Sequence, residues 1–393
     1  MTGPTPVSAL IHAATMVKAG VYLVLRFTPI LVAAAAAGAL ATSQVYTIFE
    51  VLAWLGVITA LSLSLMAIVS DELKLILAYS TGSQLGYMML AAAAGGMAAL
   101  AAGEALLAGE GVAAGLAHLV SHALFKASLF LAAGWLIHAL HTRFIDGMGG
   151  LAKFMKLTAA AFWLAGLSLA GVPPLSGFFT KEPIIHLASV AYTGLGLLAG
   201  FTAVLTAIYT SRLVIRVFHA RPYEEIKGHP HEAPPIMLAP YLILSLATLL
   251  LGIYFTGLYG YLARAMEITL GIAHAADIKL AVGASTLAVV GSAVLAIAVT
   301  AYIYLIAKID FRKIIGENMT IATIHSFLYN RFYINPLIYI VIVGGSSYLA
   351  TVAVLIDSAI DALYHVGLPA AGILGATILR RLHRCRDGGA SGS

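Results

Sequence analysis

Residues 112–140 read VAAGLAHLVSHALFKASLFLAAGWLIHAL, an unbroken apolar run whose one formal charge is Lys126. About 20 apolar residues in a helix cross the ~30 Å hydrocarbon core of a bilayer, so this segment is long enough to span. Within it His118, His122 and Lys126 recur every four residues and climb one face of the predicted helix. An ionisable residue at membrane depth costs about 2.5–3.5 kcal/mol on insertion scales, turns to a bundle interior or to water, and marks function by default. Histidine exchanges protons near neutral pH, and a lysine among apolar groups is the kind that serves in proton transfer. The three read as a stepwise proton relay. Interhelical hydrogen bonding would account for the histidines, but packing alone gives no reason for Lys126.

Outward from this segment the same texture continues. The 393 residues are 61% hydrophobic and 10% charged, against about 25% charged in a soluble domain, so an ordinary soluble globule is excluded. Apolar runs predict helices near 6–27, 45–70, 74–95, 112–140, 157–192 with an interruption, 193–218, 235–257 and 281–307. Residues 28–41 are an alanine-rich continuation of the first helix or a short packed segment. An open sheet would leave edge groups unsatisfied in hydrocarbon, and the 38 glycines suit close helix packing in lipid. The expected fold class is therefore an all-α polytopic membrane protein of about eight transmembrane helices, one of them broken.

Residues 169–183, LAGVPPLSGFFTKEP, place that break. Pro173 and Pro174 remove two consecutive backbone donors, and Gly171 and Gly177 loosen the flanks. Broken helices at membrane depth survive where the freed backbone groups are buried in protein or line a wet cavity, as in transporters. Lys181 follows the break, next to Glu182. It is either an ion-path group or a helix-end lysine snorkelling to the interface. His12 is read as a relay group or as a hydrogen-bonded structural histidine one turn from Ser8. Lys18 is deeper than a cap and is open to snorkelling. Ser70-Asp71-Glu72 resembles a helix N-terminus, which leaves Lys74 as an interfacial residue or the mouth of a proton path.

Threading the helices puts Lys74, Arg143, Lys153, Lys156, Arg212, Arg216, Arg221, Lys227, Lys308, Arg312 and Lys313 on the side of the N-terminus, and only Arg26, Arg264 and Lys279 opposite. By the positive-inside rule the N-terminus and the region after residue 308 are expected in the cytoplasm of a plasma-membrane protein. The net charge of +5 follows from this bias and the basic tail, and nucleic acid is not an expected partner. Cys385 is the one cysteine, too few for iron–sulfur ligation. No phosphate loop, dinucleotide fingerprint or zinc signature occurs, so no cofactor, no metal and no redox centre is expected in this chain. After Lys308 a polar stretch leads into an apolar run at 337–356, Asp357, Asp361 and the tail HRCRDGGASGS.

Four segments, GPTPVSALIHAATMVKAGVYL (3–23), LKLILAYSTGSQLGYM (73–88), HLVSHALFKASLFLAAG (118–134) and GMGGLAKFMKLTAAAFWLAGLSLAGVPPLSGFFTKEPII (147–185), occur in this order, and NRFYINPLIY follows at 330–339. On these the chain resembles the antiporter-like subunits of respiratory complex I, best the subunit L family of NADH:quinone oxidoreductase, with relatives in multisubunit sodium/proton antiporters and membrane-bound hydrogenases. The resemblance implies two inverted repeats, each with a broken helix and a half-channel. It implies that His118 and His122 are the relay, Lys126 the central lysine, Lys181 the exit-side lysine and His12 the link between halves. Lys74 matches a basic position before LAYST, and Lys18 matches no position with a role.

Met1 aligns inside a family segment that the first repeat precedes, so this chain reads as a C-terminal portion: a transmembrane core at 1–310 with the first repeat missing, and a lateral-helix region with a basic tail at 311–393, whose final anchoring span is not seen. Residues 337–356 are long enough to span, while the resemblance implies a lateral course along neighbouring subunits. The implied function is that of a non-redox, proton-translocating membrane subunit of a quinone oxidoreductase fed by NADH or another donor. Its implied partners are the bilayer, other membrane subunits and a polypeptide or segment supplying the first repeat. Two rivals remain: a subunit of a sodium/proton antiporter, and a structural clamp without transport.

Overall fold

A computed structural model describes residues 3–257, 260–262 and 284–387. Arg264 and Lys279, used above to weigh the loop charges, lie outside the described residues, as do Met1 and the start of the helix expected from 281. Every regular element among the described residues is helical: α1 Thr5–Ala36, α2 Thr42–Val69, α3 Leu73–Ala102, α4 Ala105–Leu140, α5 Lys156–Ala170, α6 Ser176–Ala191, α7 Thr193–Phe218, α8 Pro235–Ile253, α9 Ala284–Ala301 with a wider turn over Tyr302–Ile306, α10 Phe311–Glu317 and α11 Met319–Tyr329. Eight helical segments of the described chain are long and apolar enough to cross a membrane. The protein is an all-α polytopic membrane protein.

The chain divides into two compact units, Met1–Tyr329 and Asn330–Ser393. The second is a helical run over residues 334–387 with its side chains exposed along its described length. At 1.5 Å per residue this run is about 80 Å long, far beyond one bilayer crossing.

In the first unit, helix boundaries follow local chemistry. α3 runs past the expected residue 95 to Ala102 and stops where Gly103 takes a left-handed φ of 70°, a conformation only glycine adopts cheaply. α4 begins at Ala105, earlier than the expected 112, because Glu110 and Gly111 are accommodated inside the helix. Gly111 is needed there: a Cβ on Gly95 would stand 2.8 Å from the Gly111 Cα, so the pair lets α3 and α4 touch backbone to backbone. Residues 28–41 continue the first helix as far as Ala36. α1 is not uniform, however. It widens into a π-helical turn over Leu10–Ala14 and tightens over Met16–Lys18, with Thr15 at φ −126°, ψ −88°.

One face of the unit collects the basic loops. The Leu73 amide donates to the Arg143 carbonyl at 2.9 Å, joining the start of α3 to the loop after α4. Asp71 pairs with Arg212 at 2.5 Å, and Asp146 accepts from Arg216 at 3.1 Å, bringing in the end of α7. Arg312 approaches the same carboxylate at 3.8 Å. The acids before α3 thus face arginines rather than capping the helix, whose first residue has no side-chain cap. Asp146 is half-buried, and burial together with the neighbouring Asp71 raises its pKa, against the pull of Arg216 and Arg312. Glu232 caps α5 from a distant loop, accepting the Leu157 amide at 2.8 Å and the Thr158 amide at 3.3 Å. That caps two of the donors every helix start leaves free.

Candidate ion path

The helix break forms as the prolines require. In an uninterrupted helix the carbonyl of Leu169 would accept from residue 173, but Pro173 has no N–H. The structure gives that carbonyl to Lys181, whose ammonium donates to it at 2.6 Å. Gly171 adopts φ 80° at the end of α5, and the Pro173-Pro174 bond is cis. A methyl on Gly177 would overlap the Ser168 carbonyl, and the Gly177 amide donates to the Ser168 hydroxyl at 3.2 Å. Lys181 is 3% exposed, so it does not snorkel.

α4 is bolted to this break at two heights. The Ser121 and Ser176 hydroxyls lie 2.7 Å apart. One turn on, His118 Nδ1 is 2.8 Å from Thr180 Oγ1, and its Nε2 is 3.1 Å from Gln84 Oε1 of α3. The Thr180 hydroxyl also reaches the Ser176 carbonyl at 3.0 Å. Lys126, fully buried, donates to the Leu77 carbonyl at 3.2 Å and to the Ser80 hydroxyl. Its partners among the described residues are neutral.

His122 lies between the two, one helical turn from each. Among the described residues neither of its ring nitrogens has a hydrogen-bond partner, and the same holds for Gln84 Nε2, Tyr209 Oη and Thr210 Oγ1. Tyr209 stands against Ser80, Gln84, Thr206 and Thr210. Buried polar atoms are ordinarily satisfied by protein or ordered water, so this cluster is where the interior is polar without being closed. From the basic face inward the order is Lys74, Lys126 with Ser80, His122, His118 with Gln84 and Thr180, then Lys181. Beyond Lys181 a cavity of about 100 Å³ is lined by Glu182, His186 and Ser189 among apolar groups.

The remaining expected residues are placed as follows. Lys74 is 8% exposed and donates to the Gly3 carbonyl at 3.1 Å, which puts it at the basic face. His12 sits in the π-helical turn of α1 and stacks on Phe130 of α4 at 5.6 Å between ring centroids; Ser8 bonds the Pro4 carbonyl rather than His12. Lys18 is 3% exposed and donates to the Leu119 carbonyl at 2.9 Å, which brings a third interior lysine, after Lys126 and Lys181, beside the His118–His122 turn. Among the described residues no group of three or more His, Cys, Asp or Glu is arranged to hold a metal ion.

Sequence reading missed several of these groups. Thr202, Thr206 and Thr210 recur every four residues along α7, and Tyr209 beside them would have flagged a polar stripe in an apolar helix. Ser80 and Gln84 have the same spacing on α3.

Residues 1–206 match the family described as NADH:quinone oxidoreductase/Mrp antiporter, transmembrane. Over 279 residues the chain is 38% identical to NADH-quinone oxidoreductase subunit L of Rickettsia bellii, covering 70% of this chain and 38% of that one. Among solved structures it is similar to a chain of the Mrp complex from Dietzia sp. DQ12-45-1b, with a TM-score of 0.64 and 28% identity over 94% of this chain and 38% of the other. It is also similar to a chain of respiratory complex I from Thermus thermophilus, with a TM-score of 0.55 and 26% identity over 69% of this chain and 51% of the other. The chain therefore spans well under half the length of the subunit L relative it matches.

Proposed function

We propose that this chain, which belongs to the NADH:quinone oxidoreductase/Mrp antiporter transmembrane family, is a proton-translocating membrane subunit of a quinone-reducing complex fed by NADH or another donor. One observation carries the reading: two hydrogen-bonded segments of interior groups, Lys126–Ser80 and Gln84–His118–Thr180, lie along α3, α4 and α6, with His122 one turn from each on α4 and Lys181 next to Thr180. Lys126 holds the proton in the membrane interior, His122 and His118 pass it on, and Lys181 releases it into the cavity beyond the helix break. Lys74 is the mouth of the path at the basic face, and His12 the link toward the other half-channel of the fold. Loop charge supports a cytoplasmic N-terminus and a plasma-membrane location. Redox chemistry belongs to other subunits, and the run over 334–387 lies along neighbouring membrane subunits.

A second reading, a subunit of a multisubunit sodium/proton antiporter, is favoured by the likeness to the Mrp complex. Membrane vesicles carrying the complex with and without this chain separate the possibilities. The proposal expects fewer protons moved per quinone reduced when the chain is removed. Sodium uptake that depends on the chain without electron transfer would establish the antiporter, and an unchanged proton ratio would leave only a structural clamp.

A further inference from the structure

At the basic face, outside the ion path, a cleft of about 450 Å³ opens between the ends of α2, α7 and α9 and the short helices α10 and α11. Its rim is charged. Arg212 is held by Asp71 at 2.5 Å and Arg216 by Asp146 at 3.1 Å. Arg312 is half-exposed and meets Asp146 at 3.8 Å and Asp310 at 3.6 Å, both too long for a direct hydrogen bond. Asp310 already accepts the Arg312 backbone amide at 3.0 Å as the cap of α10. The guanidinium planes of Arg216 and Arg312 lie over the Tyr223 ring at 3.5 and 4.0 Å from its centroid. Arg312 is therefore held in place with its guanidinium donors free of direct hydrogen bonds among the described residues, with Lys308 and Lys313 beside it in sequence.

Below the rim the walls are apolar. Ile68, Ile208, Ile303, Ile324 and Leu328 line the cleft, and Ile208 and Ile303 belong to spanning helices, so it descends to hydrocarbon level. Thr300, the polar group at that depth, gives its hydroxyl to the Ala296 carbonyl at 2.7 Å. The profile selects its occupant. A soluble phosphate ester would engage the rim and leave the isoleucine walls below it uncovered. A peptide would find no partners there for its backbone.

We propose that this cleft binds one anionic phospholipid, with its phosphate on Arg312 at the rim and an acyl chain between Ile68, Ile208, Ile303 and Ile324. Basic pockets between membrane helices take anionic headgroups in this way. The site does not depend on the proton-path reading.

The test is native mass spectrometry of the full chain in detergent, titrated with phosphatidylglycerol or with phosphatidylcholine of the same acyl chains. One phosphatidylglycerol is retained per chain and phosphatidylcholine is not. Arg312→Gln weakens retention about fivefold, the equivalent of ~1 kcal/mol for one basic residue at an anionic surface. Ile324→Trp fills the apolar wall and reduces retention with the charges intact, and circular dichroism checks that each variant is folded. Glycerol phosphate does not displace the lipid. Equal retention of the two lipids by the unmodified chain would overturn the proposal. So would full retention by folded Ile324→Trp, displacement by glycerol phosphate, or a co-purifying polypeptide in the cleft that excludes lipid.

Discussion

His118 Nδ1 lies 2.8 Å from the Thr180 hydroxyl, so a buried histidine on α4 is joined to the helix that begins at the proline break. Thr180 also reaches the carbonyl of Ser176, which orients the hydroxyl and, through it, the ring. Lys181, the next residue, is one backbone step from the hydroxyl that His118 contacts.

This contact predicts that Thr180→Val leaves a buried imidazole nitrogen unpaired, at a cost of about 1–3 kcal/mol. Proton flux falls about tenfold, less than the ~10²–10⁴ credited to a group that itself transfers the proton, since Thr180 only orients the ring. Thr180→Ser keeps near-normal flux. Fluorescence-quench measurements of proton uptake in vesicles check this, and equal flux in the valine and serine variants would remove Thr180 from the path.

Lys18 distinguishes an interior charge from a snorkelling one. Its ammonium binds the Leu119 carbonyl rather than the interface, so Lys18→Met is expected to lower flux roughly tenfold with the complex still assembled, below the ~10²–10⁴ credited to a group that itself transfers the proton. Lys18→Arg retains most of it. A snorkelling lysine would tolerate both changes, and flux measured beside blue-native gels of the complex decides.

The break depends on a missing Cβ. Gly177→Ala sets a methyl against the Ser168 carbonyl and pushes α6 off the end of α5. The expected cost is about 1–3 kcal/mol, as for other overpacked sites, with a loss of the Lys181–Leu169 contact and of flux together. Thermal unfolding in detergent reads the first, vesicle uptake the second.

Just past the end of α7, His219 Nε2 accepts from the Trp163 indole at 2.8 Å, which requires that nitrogen to be unprotonated. Burial lowers the pKa of His219 from 6.5, so the folded state binds fewer protons there than the unfolded one. Its stability contribution is complete above pH 6.5 and is lost as pH falls through the lower folded value. In a Trp54→Phe, Trp135→Phe background, Trp163 emission should change with a midpoint below 6.5, and His219→Gln should abolish the change. A midpoint above that value would contradict the assignment.

Much of this was legible in residue order. Spans, the break at Pro173-Pro174 and the shared face of His118, His122 and Lys126 follow from apolar periodicity and from the donors that proline lacks. The partners of those residues were harder to read. Thr180, Gln84, Ser80 and Tyr209 are ordinary polar residues whose meaning comes only from α3, α4, α6 and α7 meeting, and no one-dimensional pattern gives which helices touch. The π-helical turn that carries His12 left no mark either, since neither glycine nor proline interrupts residues 7–19. Lys18 looked peripheral because a long side chain admits two directions, and only packing against Leu119 selects one.

The central claim is that Lys126 holds the proton in transit. The most direct test is the number of protons moved per quinone reduced by the assembled complex carrying Lys126→Ala. The account predicts a lower ratio with electron transfer and assembly preserved, and an unchanged ratio at normal turnover would contradict it.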